Sequence, residues 1–515
     1  MSLIGVTDLS FTYEGSYDPV FEHVSFQIDT DWKLGFTGRN GRGKTTFLRL
    51  LQGLYEYEGK ISSSVEFDYF PFVVEDDSAD TLEVILSRMP DVEFWLMKKE
   101  LSRLQLKEEV LYRPFHTLSY GERTKVLLAA LFLRENHFLL IDEPTNHLDR
   151  EGRRLLGEYL NQKSGFLLVS HDRAFLDSCV DHMLSINKTD IQVQRGNFSS
   201  WYDNKQRQDA YEMAENERLR KDIGRLKEAS RKASNWADKA EGTKIGGIAD
   251  RTHSNVGSRA YIGEKSRKMQ QRRKNLERRQ EKAMEEKSGL LKNVETMDSL
   301  RLEPLEYHKE VLVNVRELKV GYQDAYVCGP VTFQIRRGDR ISLQGKNGCG
   351  KSSLIKAILR RAGYWDGRNE SECEEGVLET GSGLVISYIS QDTSHLHGRL
   401  DDYAREWNVE ESLLKALLRK LDFSRDQFEK PMETFSEGQK KKVLIARSLC
   451  QRAHLYVWDE PLNYIDIYSR MQIEELIKTW NPTLLCVEHD AAFTESIEAD
   501  VVDLSGVCFS VKMYP

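Results

Sequence analysis

The chain has 515 residues, a formal net charge of −8, 40% hydrophobic and 30% charged residues. That balance fits a soluble globular protein of several domains and excludes wholesale disorder. The longest apolar run, Val126 to Leu133, spans eight residues, against about 20 for a membrane-crossing helix. The start, Met1-Ser2-Leu3-Ile4-Gly5, shows no secretory signal, and seven cysteines without a C-x-x-C pair speak for a reducing cytosol and against a disulfide or zinc framework.

From about Ser2 to Phe198, short apolar strands alternate with helical periods, the pattern of a mainly parallel α/β sheet covered by helices. The strand Leu34-Gly35-Phe36-Thr37 runs into Gly38-Arg39-Asn40-Gly41-Arg42-Gly43-Lys44-Thr45-Thr46. Glycines at this spacing let consecutive backbone N–H groups wrap phosphate oxygens. The next helix offers its positive end, Lys44 reaches the β- and γ-phosphates, and the Thr45 hydroxyl holds Mg²⁺. Ser119-Tyr120-Gly121-Glu122, alone, is only a helix N-terminal signal. Phe138 to Pro144 is an apolar strand ending in Asp142-Glu143-Pro144. Beside a phosphate loop, Asp142 reaches the magnesium shell and Glu143 polarises an attacking water; without that loop the tripeptide is a charged strand end before a turn. Ser170-His171-Asp172 follows a further strand, and His171 reads either as a structural residue or as a sensor of the γ-phosphate.

The middle of the chain differs. From Arg218 to Lys282 stand twenty Lys and Arg against eight Asp and Glu, a net of +12 that leaves −20 for the rest of a chain totalling −8. Leu219, Leu226, Ala233 and Ala240 lie seven apart, with Ile223 and Ala237 on a second seam position; Ile262, Met269, Leu276, Ala283, Leu290 and Met297 repeat that spacing. Two heptad runs around a Gly-rich interval predict an antiparallel coiled-coil hairpin with its tip at Gly242 to Gly263. Arms of roughly 35 residues would reach about 50 Å. A cationic rod suits an RNA-walled cavity. Arg272, Arg273, Lys274, Arg278 and Arg279 would meet phosphates, and Lys244 and Arg259 lie near the tip with Trp236, Ile245, His253 and Tyr261. A solvated coiled coil with charges on its outer positions accounts for the same composition without RNA.

The end of the chain repeats the beginning. Gly345-Lys346-Asn347-Gly348-Cys349-Gly350-Lys351-Ser352-Ser353 follows the strand Ile341-Ser342-Leu343-Gln344; then come Ser436-Glu437-Gly438-Gln439, Leu455 to Pro461 with Asp459 and Glu460, and Glu488-His489-Asp490. Ser119 to Asp142 and Ser436 to Asp459 are both 23 residues; Glu143 to His171 is 28 and Glu460 to His489 is 29. Four motifs in one order, twice, mark a tandem duplication. The expected domains are 1–200, a hairpin at 201–305, and 306–515.

The duplicated set resembles the ATP-binding-cassette superfamily. The resemblance implies two tandem P-loop ATPase domains that use ATP and Mg²⁺ as a conformational switch. It implies that Ser436, Gly438 and Gln439 close on the site of Lys44, and Ser119, Gly121 and Glu122 on the site of Lys351. Glu143 and Glu460 become the catalytic residues with His171 and His489. Thr45, Asp142, Ser352, Asp459 and Gln391 become the Mg²⁺ set. Asp149 and Asp466 match the D-loop, and Tyr13 and Tyr322 match the aromatic that stacks on adenine, with Phe11 an alternative register. Phe72 stands where the first unit should carry its counterpart of Gln391, so the two sites should be unequal.

Two cassettes joined by a basic hairpin, with Gly196-Asn197-Phe198-Ser199-Ser200-Trp201-Tyr202 just before it and Glu460-Pro461-Leu462-Asn463-Tyr464 in the second unit, resemble the Lsa-like antibiotic-resistance group of the ABC-F proteins. That implies a cytoplasmic monomer whose cassettes pair within the chain, without membrane or DNA partner. It would bind the ribosomal E site on the 50S subunit, near 23S rRNA and P-site tRNA. Its hairpin would point to the peptidyl-transferase centre and relieve inhibition by lincosamides, pleuromutilins and streptogramin A. A housekeeping ABC-F factor, the ATPase subunit of a drug exporter and a DNA-repair ATPase are the competing readings.

Overall fold

The computed structural model describes residues 2–15, 19–90, 92–146, 148–187, 190–242, 300–322, 325–364 and 372–504, with Arg278. The chain separates into one compact unit formed by Met1–Trp201 with Met297–Pro515, and a second formed by Tyr202–Thr296.

The first unit contains the duplication as two α/β bodies. In the N-terminal body a six-stranded sheet runs Glu66–Phe70, His137–Asp142, Phe166–Val169, Lys33–Thr37, His182–Asn187, Asp190–Arg195, parallel except for the last pair. Its central strands are apolar on both faces because helices cover both, so Leu34, Phe36, Leu140, Leu167 and Val169 are all buried. A smaller antiparallel sheet, Phe21–Asp29, Leu3–Phe11, Glu58–Ser62, closes one end and shares the core of Ile4, Leu9, Phe21, Phe36 and Phe47. The C-terminal body repeats this with Ile386–Ile389, Leu455–Asp459, Leu484–Val487, Arg340–Gln344 and Asp500–Asp503 in one sheet. Ala325–Arg336, Val311–Tyr322 and Glu372–Thr380 form the other. In both bodies the phosphate loop and the Asp-Glu pair leave the carboxyl ends of two parallel strands separated by a third, the edge where open parallel sheets bind ligands.

The helix Phe198–Gly242 is 45 residues long. Its first turn is anchored by buried Phe198 and Trp201, with ring centroids 5.4 Å apart, and by the Ser200 amide donating to Asn197 Oδ1 at 3.1 Å. Farther along, Glu217 and Lys221 form an ion pair at 2.6 Å. The first heptad run is therefore helical and ends where the Gly-rich tip was expected. Arg278 is helical and exposed. The second heptad run lies outside the described residues, as do Lys244, Ile245, His253, Arg259, Tyr261, Arg272, Arg273, Lys274 and Arg279. Among the described residues no helix is long and apolar enough to cross a membrane.

One close approach recurs in both bodies. Gly59 has φ +99°, and a Cβ there would lie 2.3 Å from the Asp8 carbonyl oxygen; Gly376, at φ +107°, faces the Glu317 oxygen at 2.4 Å. Gly53, at φ +71°, has open space instead. Gly59→Ala is expected to destabilise by on the order of 1–3 kcal/mol more than Gly53→Ala in urea unfolding. Equal losses would show that the approach to Asp8 does not constrain the sheet.

Candidate nucleotide sites

Gly43 and Gly350 precede the helices Lys44–Leu51 and Lys351–Arg361 in left-handed conformation, at φ 91° and 88°. A Cβ on Gly43 would meet Val20 Cγ1 at 2.5 Å, so the turn requires glycine. Lys44 is buried and its ammonium donates to the Gly38 oxygen at 2.6 Å, the Arg39 oxygen at 3.3 Å and Asn40 Oδ1 at 3.3 Å. Lys351 donates to the Gly345 and Lys346 oxygens at 2.9 and 3.1 Å. Burial holds the Lys44 ammonium below the ordinary lysine range, against the pull of Asp466, Glu143 and Asp142. The Tyr13 hydroxyl bonds Thr46 Oγ1 at 2.6 Å and that of Tyr322 bonds Ser353 Oγ at 3.0 Å, so the two tyrosines are equivalent. Phe11 is buried in the small sheet while Tyr13 is 42% exposed and lines the Lys44 cavity; Tyr322 does not line the Lys351 cavity.

Both catalytic candidates sit on strained backbone. Glu143 and Glu460 have φ of 50° and 48°, a conformation that costs non-glycine residues of order 1–3 kcal/mol. Each keeps its amide bond to the neighbouring strand, at the Val169 oxygen (2.9 Å) and the Val487 oxygen (3.1 Å), while leaving the strand direction. His171 Nε2 lies 3.4 Å from Glu143 Oε1, and His489 Nε2 lies 3.8 Å from Glu460 Oε1. Burial, reinforced by Lys44, keeps His171 far below the ordinary imidazole range; burial and Lys351 lower His489 to about 3. Both imidazoles are thus neutral hydrogen-bonding groups. Burial, then repulsion from Asp142, raises the Glu143 carboxyl to about 8.

The acidic ends suit a hard cation. Thr45 Oγ1 donates to Asp142 Oδ2 at 3.2 Å, and burial pushes the Asp459 carboxyl up to about 6, against a bond from Ser352. Asp459 Oδ1 and Glu143 Oε1 are buried without a hydrogen-bond partner. Thr45 with Asp142, and Ser352 with Asp459 and Gln391, form oxygen donor sets that fit Mg²⁺.

The two sites diverge at the glutamate. Glu460 Oε2 accepts from Gln391 Nε2 at 2.8 Å and from Asn463 Nδ2 at 2.7 Å. Strand register pairs Phe70 with Ile141 and Ile389 with Trp458, each partner one residue before its aspartate, so Phe72 occupies the position of Gln391. Phenylalanine offers no donor to Glu143. That wall of the cavity is instead Pro71 and Tyr69, whose hydroxyl donates to Asp142 Oδ2 at 2.9 Å.

Each cavity is built from both cassettes. One of about 580 Å³ is lined by Lys44, Thr45, Asp142, Glu143 and His171 with Ser436, Gly438 and Tyr464. The other, about 770 Å³, brings Ser119, Gly121 and Glu122 to Lys351, Ser352, Gln391, Glu460 and His489. Asn40 Nδ2 donates to the Tyr464 oxygen at 2.8 Å, and a Cβ on Gly438 would lie 2.5 Å from that oxygen. Ser119 and Ser436 start the helices Tyr120–Leu131 and Glu437–Cys450 with capping boxes closed by Glu122 and Gln439, so these two residues cap helices. Not every loop residue faces its cavity. Arg39, Arg42 and Cys349 do not line either one: the arginines turn to Asp422 of the other cassette and Cys349 is buried in the core of its own; Gly38 and Gly345 lie behind the loops as acceptors for the lysines.

Sequence reasoning missed an arginine in each cassette, partly buried Arg153 and buried Arg470. Arg153 Nη1 lies 2.9 Å from Asp172 Oδ2 and Arg470 Nη1 lies 2.9 Å from Asp490 Oδ2. They also hold the Leu148 oxygen (3.1 Å) and the Ile465 and Leu462 oxygens (2.9 Å each), bracing the loops that carry Asp149 and Asp466. Their signal was present: each stands ten residues past its cassette's glutamate, Glu143 or Glu460. Gln391→Phe, which copies the first cassette, is expected to lower kcat for ATP on the order of 10²-fold by releasing Glu460 from its position. Unchanged turnover would remove Gln391 from the site's working parts.

The ABC transporter family model matches residues 21–146 and 328–463. The chain is 26% identical over 497 residues to the ribosome protection protein VmlR of Bacillus subtilis (strain 168), covering 95% of this chain and 85% of that protein. It is 25% identical over 565 residues to ABC transporter F family member 2 of Arabidopsis thaliana, covering 97% and 76%. Among solved structures, the archaeal ribosome recycling factor aABCE1, in complex with the ribosomal stalk protein aP1, shares the fold with TM-score 0.60 at 20% identity, over 96% of this chain and 87% of that one. Two family matches, one on each half of the duplication and each ending beside its Asp-Glu pair, leave one conclusion: the chain belongs to the ABC transporter family and carries that family's ATPase cassette twice.

Proposed function

We propose that this protein is an ABC-F ATPase that engages the ribosome when ATP closes its cassettes and leaves when ATP is hydrolysed. The observation that carries this reading is that each candidate cavity is half phosphate loop from one cassette and half helix start from the other. A nucleotide filling such a cavity binds the closed arrangement more tightly than any open one, and that difference is what makes it a switch. Lys44 and Lys351 would exchange their carbonyl partners for phosphate oxygens, while Ser436 and Ser119 close from the opposite cassette. Glu460, held by Gln391 and Asn463, would orient the attacking water, with His489 as a neutral hydrogen-bonding group beside it. Mg²⁺ on Thr45 and Asp142, or on Ser352, Asp459 and Gln391, would neutralise the β- and γ-phosphate charge.

The finer reading places the basic segment between the cassettes against 23S rRNA on the 50S subunit, near P-site tRNA. Its tip, 242–263, would lie toward the peptidyl-transferase centre and protect translation from lincosamides, pleuromutilins and streptogramin A. The +12 charge of Arg218 to Lys282 beside two acidic cassettes, and similarity across nearly the whole chain to a protein named for ribosome protection, support it. Similarity of equal extent to plant F-family proteins favours, as the second reading, a translation factor without a resistance role.

Glu143→Gln combined with Glu460→Gln is expected to pellet with ribosomes at least about tenfold more than wild type in ATP. Equal pelleting would end the switch account. Expression in a susceptible bacterium should raise the inhibitory concentrations of the three drug classes, and deletion of 242–263 should abolish the rise. Unchanged concentrations in the presence of normal ribosome pelleting would select the second reading.

A further inference from the structure

The duplication is broken along the seam where the cassettes meet. Arg173, just past His171, forms an ion pair with Glu474 of the second cassette; their side chains are only 16% and 7% exposed, and Ser496 Oγ donates to the other carboxylate oxygen at 2.9 Å. From the signature serines to the D-loop aspartates the two cassettes align without a gap, which makes Gly157 the counterpart of Glu474. After the histidines Ala491 is the counterpart of Arg173. On the other half of the seam the same place therefore holds an alanine and a glycine.

The same imbalance runs along the phosphate loops. Arg39 Nη1 and Arg42 Nη2 each lie 3.8 Å from Asp422 Oδ1 of the second cassette, and the Arg39 guanidinium sits 5.4 Å above the Tyr468 ring. Their counterparts are Lys346 and Cys349, and those of Asp422 and Tyr468 are Gln105 and Glu151. Cysteine and glutamine cannot form that ion pair. On this half Lys346–Glu151 at 3.6 Å joins side chains 68% and 59% exposed, and Arg150 Nη1–Gln344 Oε1 at 3.1 Å is exposed as well. Exposed pairs of this kind contribute little, whereas removing one partner of a buried pair strands a desolvated charge. On the second half a cavity of about 730 Å³ opens beside Ala491, lined by Lys346, Glu151 and Gln344 together with Arg150, Arg153 and Arg154.

We infer that Arg173–Glu474, with Arg39 and Arg42 on Asp422, latches the first nucleotide site shut, so that this site retains its nucleotide while the second opens and turns over. The assignment deepens the ATPase part of the function proposed above and makes no use of the ribosome. It agrees with the chemistry of each half. The latched site has Phe72 and a glutamate without an amide donor at that position, while the unlatched site has Glu460 held by Gln391 and Asn463. Arg173, Glu474 and Asp422 line neither candidate nucleotide cavity; they are positioning residues that decide which half of the sandwich lets go.

The test is a chase experiment on the full chain without ribosomes. Protein loaded with fluorescent ATP and Mg²⁺ is mixed with excess unlabelled ATP. Wild type should release label in two phases of about equal amplitude, with Lys44→Ala removing the slow phase and Lys351→Ala the fast one. Asp422→Asn, isosteric and at a partly exposed position, should speed the slow phase several-fold. Arg173→Ala should speed it about tenfold, a change of about 1.4 kcal/mol in barrier, with the fast phase within twofold of wild type. Exchanging the charges as Arg173→Glu with Glu474→Arg should return the slow phase toward wild type, a rescue that a general loss of folding would not give. A single release phase, a slow phase lost in Lys351→Ala, or both latch variants leaving the slow phase unchanged would overturn the latch. Single-phase release with normal ATP-dependent ribosome pelleting would sink the latch alone, whereas absence of any bound nucleotide would sink the wider reading with it.

Discussion

A buried ammonium is costly unless hydrogen bonds and nearby carboxylates offset its lost hydration, and both surround the loop lysines. Lys44 rests on carbonyls of its own loop and Lys351 on two more. Around them, backbone N–H groups and the start of a helix face the same space, and across it stands the capped start of a helix from the other cassette. The arrangement suits an anion and has two walls on different halves of the chain. Much else in the first unit serves to hold those walls at the right separation. The glycines at Gly43 and Gly438 permit the approach, the strained Glu143 and Glu460 turn carboxylates into the gap, and arginines stiffen the loops behind it.

Strain and burial coincide at Glu143 and Glu460, where parallel strands end. A glutamate in left-handed conformation persists only when its surroundings over-determine it, and here the strand bond of its own amide does so. The neighbouring aspartates are pushed toward protonation by burial. The imidazoles are pushed the other way and stay neutral. A site built in this way suits a polyanion with its cation, and a ligand that spans both walls is coupled to the fit between cassettes.

Duplication supplied two such sites and divergence separated them. The acid at Glu488, where the first cassette has Ser170, accepts the Leu462 amide at 2.8 Å and is raised to about 7 by burial. In the first cassette two hydroxyls, Thr145 and Ser170, occupy that place at 3.2 Å. Lys442, buried against Asp466 at 2.8 Å, stiffens the second D-loop, and Arg470 adds a second carbonyl contact that Arg153 does not share. These are small changes in side-chain chemistry on one backbone plan, and they place charge-assisted bonds on one side of the seam more than on the other.

The motifs, their order, their spacing and the change from acidic cassettes to a basic middle were all legible in the linear chain, because each is a local pattern of residue types. The helical period from Leu219 to Ala240 was legible for the same reason, and Phe72 could be recognised as a substitution at a glutamine position by counting residues past a strand. Whether Tyr13 or Phe11 borders the cavity was not legible: both are aromatic and two apart, and only strand pairing decides which is buried. The outward turn of Arg39 and Arg42 was hidden too, since a phosphate loop reads as a run of contacts although half of its side chains must point away. Least visible were Arg173 with Glu474 and Arg39 over Tyr468, whose partners lie hundreds of positions apart. Sequence determines which chemistry is present and how often; the packing of one cassette on the other determines which charges lose water together, because desolvation depends on neighbours in space and not along the chain.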